Sequence, residues 1–281
     1  MPEGHTIRRL ARSHARRFRG HEVAVSSPQG RFTTGAELVD GRVLRSVDAH
    51  GKHLFHVYEP DLVVHVHLGL YGKFSLVAVP DGEDPRGSVP APVGQVRMRM
   101  VGDTHYADLR GATACEVLTE GEVEALHERL GADPLRADAD PEQAWHRMSR
   151  SRSPVATLLM DQAVIAGVGN VYRAEVLFRH GLDPLTPGRD LGRDRFDAVW
   201  ADLVDLLTDG VRRGSINTLR SEHTELRCSH GPRGRHTPAC GRPVYVYRRT
   251  GLPCLLCGTE VVRRTHAARN LFWCPTCQSG S

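Results

Sequence analysis

The chain has 281 residues, 40% hydrophobic and 25% charged, with a formal net charge of +4. Such a composition suits one large globular domain or two to three small ones and excludes a disordered, collagenous or coiled-coil chain. No apolar run reaches the roughly 18 residues of a membrane span, and the opening MPEGHTIRRL lacks a signal peptide's apolar stretch. The expectation is a soluble intracellular protein with no membrane partner.

Charge is distributed unevenly. Residues 146–281 hold 20 Lys and Arg against 12 Asp and Glu, whereas residues 1–145 hold 17 against 21. A basic C-terminal half suits a polyanion-binding module, although a solvated basic face explains the same split. Only Lys52 and Lys73 are lysines; the other 35 basic residues are arginine. A lysine kept in such a chain is a candidate for work arginine cannot do, such as giving up a proton.

In chain order, Ile7, Leu10, Ala11, Ala15 and Phe18 share one helix face, with arginines elsewhere, so a helix is predicted from Thr6 to near Gly20. Short β-like runs follow to about Leu118: HEVAV, GRVLRSV, KHLFHVY, LVVHVHL, KFSLVAV, QVRMRMV and ACEVL. They are punctuated by Gly, Pro and Asp, above all in the loop 81–94, which argues for a β-sandwich or barrel. The helical period returns from about Glu120, with segments at 120–130, 141–148, 153–167, 170–181 and 196–211. Ser153-Pro154 reads as a helix start and Gly181 as a stop. Residues 218–243 read as a polar loop.

Four of the seven cysteines are spaced Cys254-x2-Cys257-x16-Cys274-x2-Cys277. Two CxxC pairs at this separation suit one tetrahedral zinc, structural because it is fully ligated. Cys228, His230, His236 and Cys240 match no compact ligand pattern, and Cys115 reads as a core residue. His50, His53, His56, His65 and His67 crowd the β region without a carboxylate at ligand spacing, and strand alternation is expected to split them between faces. Between Gln162 and Glu175, Gly167-Val168-Gly169-Asn170 allows a tight turn into a helix. Its first N–H groups and the Asn170 amide suit a phosphate; a plain helix hairpin with an Asn cap is the alternative.

MPEG at the N-terminus, Gln162 through Glu175, and the four-cysteine hairpin with RNLFWCPTCQ together resemble the formamidopyrimidine-DNA glycosylase and endonuclease VIII family. Within it, the chain is most similar to the bacterial endonuclease VIII-like branch, which acts on oxidised pyrimidines. The resemblance spans Pro2 to Gln278. It implies a multi-domain α+β fold: a catalytic β-sandwich with an N-terminal helix (1–119), linker helices (120–150), and a helix-two-turn-helix domain (151–225). A loop (226–243) and a zinc-binding β-hairpin (244–281) complete it. It further implies a monomeric DNA glycosylase and abasic-site lyase of base excision repair. Such an enzyme acts on damaged duplex DNA in the cytoplasm, at the bacterial nucleoid, with one structural zinc and no other cofactor.

By the same resemblance, Pro2 becomes the nucleophile once Met1 is removed, and Glu3 shuttles protons. A terminal α-amino group has a pKa near 8, so part of it is uncharged at neutral pH. Lys52 falls at the lysine that binds phosphate and assists elimination. His67 and Asn170 match phosphate contacts, Arg269 matches the zinc-hairpin arginine, and Arg129 resembles a linker arginine that contacts DNA. Leu70 and Tyr71 match two parts of a Gln-Leu-Tyr wedge that fills the vacated stack. Gly69 stands where the wedge has Gln, and His5-Thr6 where many relatives have Pro-Glu. The stretch 107–111 lacks the Arg-Phe pair of the 8-oxoguanine enzymes, which favours oxidised pyrimidines. Three alternatives remain at this point: a non-catalytic damage-binding protein of the same fold, an 8-oxoguanine/formamidopyrimidine glycosylase, and an unrelated zinc-ribbon protein.

Overall fold

The computed structural model describes residues 2–79, 89–226 and 243–279. Met1, most of the 81–94 and 218–243 loops, and the Cys228/His230/His236/Cys240 set lie outside the described residues. The chain divides into two compact units, Met1–Arg129 and Leu130–Ser281.

The first unit opens with α1 (Gly4–Phe18), which turns Ile7, Ala11, His14 and Phe18 inward and ends before Gly20, at φ +84°. Strands β1 (Glu22–Ser26), β2 (Arg42–His50), β3 (His53–Tyr58) and β4 (Leu62–His67) follow, with α2 (Thr33–Val39) between the first two. Next come β5 (Lys73–Ala78), β6 (Val96–Val101), β7 (His105–Arg110), β8 (Ala114–Leu118) and α3 (Glu120–Arg129). The strands run in the order β5-β7-β6-β1-β2-β3-β4-β8, each antiparallel to its neighbour. β1 meets β2 through only Glu22–Val43 and Val23–Arg42, so two four-stranded layers join at that seam.

Leu54, Val64, Val66, Met98, Met100 and Leu109 fill one core together with the buried face of α1. That core is the expected sandwich; burial alternates cleanly along β1, whereas β3, β4, β6 and β7 each bury three residues in a row. α3 begins with a reciprocal cap: Thr119 N–H donates to Glu122 Oε2 at 2.8 Å, and Glu122 N–H to Thr119 Oγ1 at 3.4 Å.

Two elements escaped the sequence pattern. One is α2. The other is β7, whose alternation is masked by Asp108, a carboxylate only 2% exposed. Arg99 holds it with Nε to Oδ1 at 2.7 Å and Nη2 to Oδ2 at 2.9 Å.

The second unit holds α4 (Pro141–Met148), α5 (Val155–Leu158), α6 (Asn170–Arg179), α7 (Arg193–Arg213) and the hairpin β9 (Val262–His266)–β10 (Arg269–Trp273). Leu159, Ile165, Tyr172, Leu177, Phe196, Leu203 and Leu207 form its main core, with Trp145, Trp200 and Trp273 packed against it. Gly181, at φ +60°, follows α6 as expected.

The long helix expected over 153–167 is absent. Only Val155–Leu158 is α-helical; Pro154 stands at its N-cap, and Ser153 does not cap it. Gln162 holds the chain that follows in a turn. Its Nε2 donates to Met160 O at 2.9 Å and Val168 O at 3.0 Å, and its Oε1 accepts from Gly167 N–H at 3.0 Å. A side chain that satisfies three backbone groups competes successfully with continued helix.

Candidate functional site

In the first unit, Pro2 is half-buried and Glu3 fully buried at the head of α1. Glu3 is the N-cap, and its carbonyl accepts from Thr6 N–H at 2.8 Å. A carboxylate-bearing residue buried at a helix N-terminus sits in a favourable field, because the helix dipole stabilises negative charge there. Next to it, burial pushes the His5 pKa down to about 4, leaving a neutral imidazole with Nε2 3.2 Å from Thr6 Oγ1. Lys52 occupies the tight turn between β2 and β3, after Gly51 at φ +57°.

His67 ends β4 and shares with Arg129 a pocket of about 760 Å³ lined also by His53, His65, Thr113 and Glu116. Of the crowded histidines, His56 points into the core, while His53, His65 and His67 line this pocket. Two imidazoles thus pack in the core: His14 Nδ1 lies 2.9 Å from His56 Nε2, both rings being fully buried. Burial drives the His14 pKa down to about 4 and that of His56 well below its ordinary value.

Leu70 and Tyr71 stand on the turn after β4, 45% and 86% exposed. Gly72 N–H closes that turn on Leu68 O at 3.0 Å, and Thr113 N–H braces it through His67 O at 2.9 Å. Gly69 has φ +66°, and a Cβ there would overlap Thr113 Oγ1. The absence of a glutamine side chain at 69 therefore has a local cause. The 107–111 stretch is the end of β7 and the residue after it. Arg110 is anchored there to Asp108 Oδ2 and Ser75 Oγ, both at 2.9 Å. Cys115 is buried, and burial pushes its thiol pKa up to about 12, as befits a core residue.

In the second unit, Asn170 begins α6 and is 8% exposed. Its Nδ2 donates to Asn270 O at 3.0 Å, one residue from Arg269, so the helix start and the hairpin strand are joined. Arg173, 1% exposed, donates to Asn170 Oδ1 and, at 3.0 Å, to the same Asn270 carbonyl. Arg269 is exposed at the first position of β10, after Ala267 and Ala268, both with positive φ.

Glu175 is fully buried and accepts from the N–H groups of Tyr245, Val246 and Tyr247 at 2.7–2.9 Å and from Thr218 Oγ1 at 2.6 Å. Arg173 and Glu175 received no role from the sequence. The signal was present, since charged residues occur on a helix that is otherwise apolar. Nine of the ten residues of α6 are buried, these two charged ones among them.

The four cysteines converge, with Sγ atoms all within 4.8 Å of one another. Cys254–Cys277 and Cys257–Cys274 stand at 3.8 and 3.5 Å. Zinc–sulfur bonds of about 2.3 Å in a tetrahedron place sulfurs about 3.8 Å apart, so the donor set fits zinc and is too open for disulfides. Among the described residues, no other group of three or more potential ligands converges. Gln278 closes the module: its Oε1 accepts from Cys274 N–H at 3.0 Å, and its Nε2 donates to Leu182 O at 2.9 Å. Among the described residues, no helix is long and apolar enough to cross a membrane.

Three family profiles match. They are the formamidopyrimidine-DNA glycosylase N-terminal domain over residues 1–115, the H2TH domain of formamidopyrimidine-DNA glycosylase over 130–221, and the zinc finger found in FPG and IleRS over 251–280. Endonuclease 8 1 of Mycobacterium tuberculosis is 54% identical over 279 residues, covering 99% of this chain and all of the relative. A formamidopyrimidine-DNA glycosylase of Thermus thermophilus is 31% identical, over 99% of this chain and 97% of its own. Among solved structures, MutM in complex with DNA containing carbocyclic 8-oxo-G matches with a TM-score of 0.76 at 21% identity, covering 99% of both chains. Lactococcus lactis Fpg with abasic-site DNA matches equally at 19%, covering 98% of this chain and 99% of its own. At those identities the structures speak for the fold alone, while the relatives at 54% and 31% speak for descent. By these matches, the chain belongs to the family of formamidopyrimidine-DNA glycosylases and endonucleases 8.

Proposed function

We propose that this protein is a bifunctional DNA glycosylase and abasic-site lyase of base excision repair, excising oxidised bases from duplex DNA with pyrimidines favoured. The observation that carries the reading is the end-to-end 54% identity to an endonuclease 8. In this reading the secondary amine of Pro2, freed by loss of Met1, attacks the deoxyribose C1′. The bond to the damaged base breaks, and an iminium forms between Pro2 and the opened sugar. Glu3 passes protons to the leaving base and to the ring oxygen. The iminium acidifies neighbouring sugar protons, so their loss expels first one flanking phosphate and then the other.

Lys52 and Arg269 bind phosphate and assist the eliminations, His67 and Asn170 contact the phosphates around the extruded nucleotide, and Arg129 contacts the DNA. Leu70 and Tyr71 fill the stack that the flipped nucleotide leaves. The four-cysteine module, once it holds zinc, orders the hairpin that carries Arg269; zinc takes no part in the bond changes. Two observations favour pyrimidine lesions: the exposed Leu70-Tyr71 turn, and Arg110 anchored on the sheet where the 8-oxoguanine enzymes carry a wedge pair. The domain boundaries 1–119, 120–150, 151–225, 226–243 and 244–281 go with this reading as its division of labour, and the protein acts as a monomer at the nucleoid.

The test is borohydride trapping on duplexes carrying an abasic site, thymine glycol or 8-oxoguanine, with Pro2→Gly and Glu3→Gln proteins alongside and intact mass to check Met1. The expected result is a covalent adduct at residue 2, strongest with the pyrimidine lesion and absent from Pro2→Gly. No adduct from Met1-free protein would overturn the lyase reading and leave a damage-binding protein.

A further inference from the structure

On the pocket side of β3, β4 and β8, His53 pairs in register with His67, and His65 with both Phe55 and Glu116. Directly paired residues share a sheet face, so these side chains lie side by side. They are also hydrogen-bonded in series: His65 Nδ1 is 3.0 Å from Glu116 Oε1, and His53 Nδ1 is 2.9 Å from His65 Nε2.

An ionised carboxylate can only accept. His65 therefore carries its proton on Nδ1, its Nε2 accepts, and His53 must in turn carry a proton on Nδ1. The series leaves His53 Nε2 as a bare lone pair on the wall of the pocket. His67 is the next ring in that direction, its centroid 4.9 Å from that of His53, and Phe55, His65, His53 and His67 form a continuous column. Among the described residues, the ring of His67 makes no hydrogen bond.

We propose that Glu116 and His65 act through His53 as positioning residues for His67. They hold a bare acceptor beside it, so that His67 takes up a proton and docks on a DNA phosphate as an imidazolium shared between phosphate oxygen and His53 Nε2. The inference rests on the DNA-binding reading and deepens it. A neutral imidazole has one N–H and cannot serve two acceptors, whereas the imidazolium has two.

In the free protein His67 is held neutral. Burial lowers its pKa first, and the neighbouring His65 and Lys52 lower it further. The other groups around the pocket are His50 and His53 on β2 and β3, Glu116 on β8, and Glu122, His127, Glu128 and Arg129 on α3. The carboxylates favour the imidazolium; Lys52 and Arg129 oppose it until a phosphate offsets their charge. Phosphate arrival thus reverses the sign of the local field.

The experiment is calorimetric titration of the full-length protein with a duplex carrying a tetrahydrofuran abasic analogue, in buffers of different ionisation enthalpy at pH 7. His65→Phe, which keeps the ring column, and Glu116→Gln, at a half-exposed side chain, run in parallel. The expected result is uptake of about one proton by the parental complex, beyond that of either variant. Affinity should then fall by up to about tenfold per pH unit above neutrality in the parental protein only. Equal proton uptake in parental and variant proteins overturns the proposal. Nitrogen-15 histidine spectra of the free protein test the relay separately. His53 and His65 should both be Nδ1–H tautomers, and an Nε2–H tautomer at His53 overturns the relay whether or not DNA binds. A parental protein that does not bind the duplex overturns the functional reading as well, and the proton transfer that rests on it.

Discussion

Asn170 on α6 and Asn270 on β10 are joined by a 3.0 Å hydrogen bond from side-chain amide to backbone carbonyl, and Arg173 donates to both residues. Two segments a hundred residues apart, one matching the H2TH profile and one the zinc-finger profile, therefore present their polar groups as one surface. The consequence is that Arg269, one residue before Asn270, inherits its position from a buried arginine. Replacing Arg173 by leucine leaves Asn170 Oδ1 without its arginine donor in a buried site, while Asn270 O keeps the Asn170 amide, at a cost of about 1–3 kcal/mol. Urea unfolding should show that loss. Anisotropy on an abasic-analogue duplex should show weaker binding at a temperature where the variant remains folded.

The wedge turn makes two opposed predictions. Tyr71 is 86% exposed, so Tyr71→Ala should leave the melting temperature within a degree or two while slowing base excision. Loss of a stacking aromatic is worth about 1–3 kcal/mol, roughly ten- to a hundredfold, read by single-turnover glycosylase assay. Gly69→Gln, which nominally completes the wedge, should instead destabilise the turn. The residue sits at positive φ, and its Cβ would overlap Thr113. Thr113→Gly combined with Gly69→Gln should recover part of the loss, as followed by thermal unfolding.

The His14–His56 pair gives the first unit an acid limit. Both histidines have folded-state pKa values below the 6.5 of the unfolded chain, because burial opposes their charged forms. The unfolded state therefore binds more protons between pH 6.5 and about 4, and stability rises with pH across that window. The contribution is complete above pH 6.5 and is lost progressively as the pH falls toward 4. For His14 alone that amounts to about 3 kcal/mol. A His14→Leu/His56→Leu protein should show a flatter dependence of unfolding free energy on pH between 7 and 5. An unchanged slope would assign the acid sensitivity to other groups.

Zinc removal should act locally. Val261, Phe272 and Cys274 of the module are buried in one cluster with Val171, Ala174 and Phe178 of α6, and metal binding adds its own free energy to that apolar anchor. Elemental analysis should find one zinc per chain. Chelation should abolish hydrogen-exchange protection across Cys254–Gln278 while leaving protection in β3 and β4 intact. Loss of protection throughout the first unit would contradict a local role.

The sequence made legible what depends on local period and on spacing. The strand runs, α1, α6 and α7 followed from apolar alternation, and the metal set from two CxxC pairs. It failed where a buried polar group replaces an apolar one. Asp108 disguised β7, Gln162 ended a helix that hydrophobicity alone would have continued, and Arg173 and Glu175, both buried, received no role. For Arg173 and Glu175 the partner that makes burial tolerable is remote in sequence: Asn270 for Arg173, the 245–247 backbone for Glu175. Histidine alternation likewise predicted a split between faces but not the series Glu116–His65–His53, which needs the register of three strands.

The placement of aromatic residues has a practical consequence for spectroscopy. Trp145, Trp200 and Trp273 are the chain's three tryptophans, and all belong to the second unit, packed against its core. Emission excited at long wavelength is thus blind to the β-sandwich, whose aromatic residues are tyrosines and phenylalanines. A fluorescence melt followed beside far-ultraviolet circular dichroism separates the two units without labels. Trp273, adjacent to Cys274, adds a built-in optical gauge of the metal state.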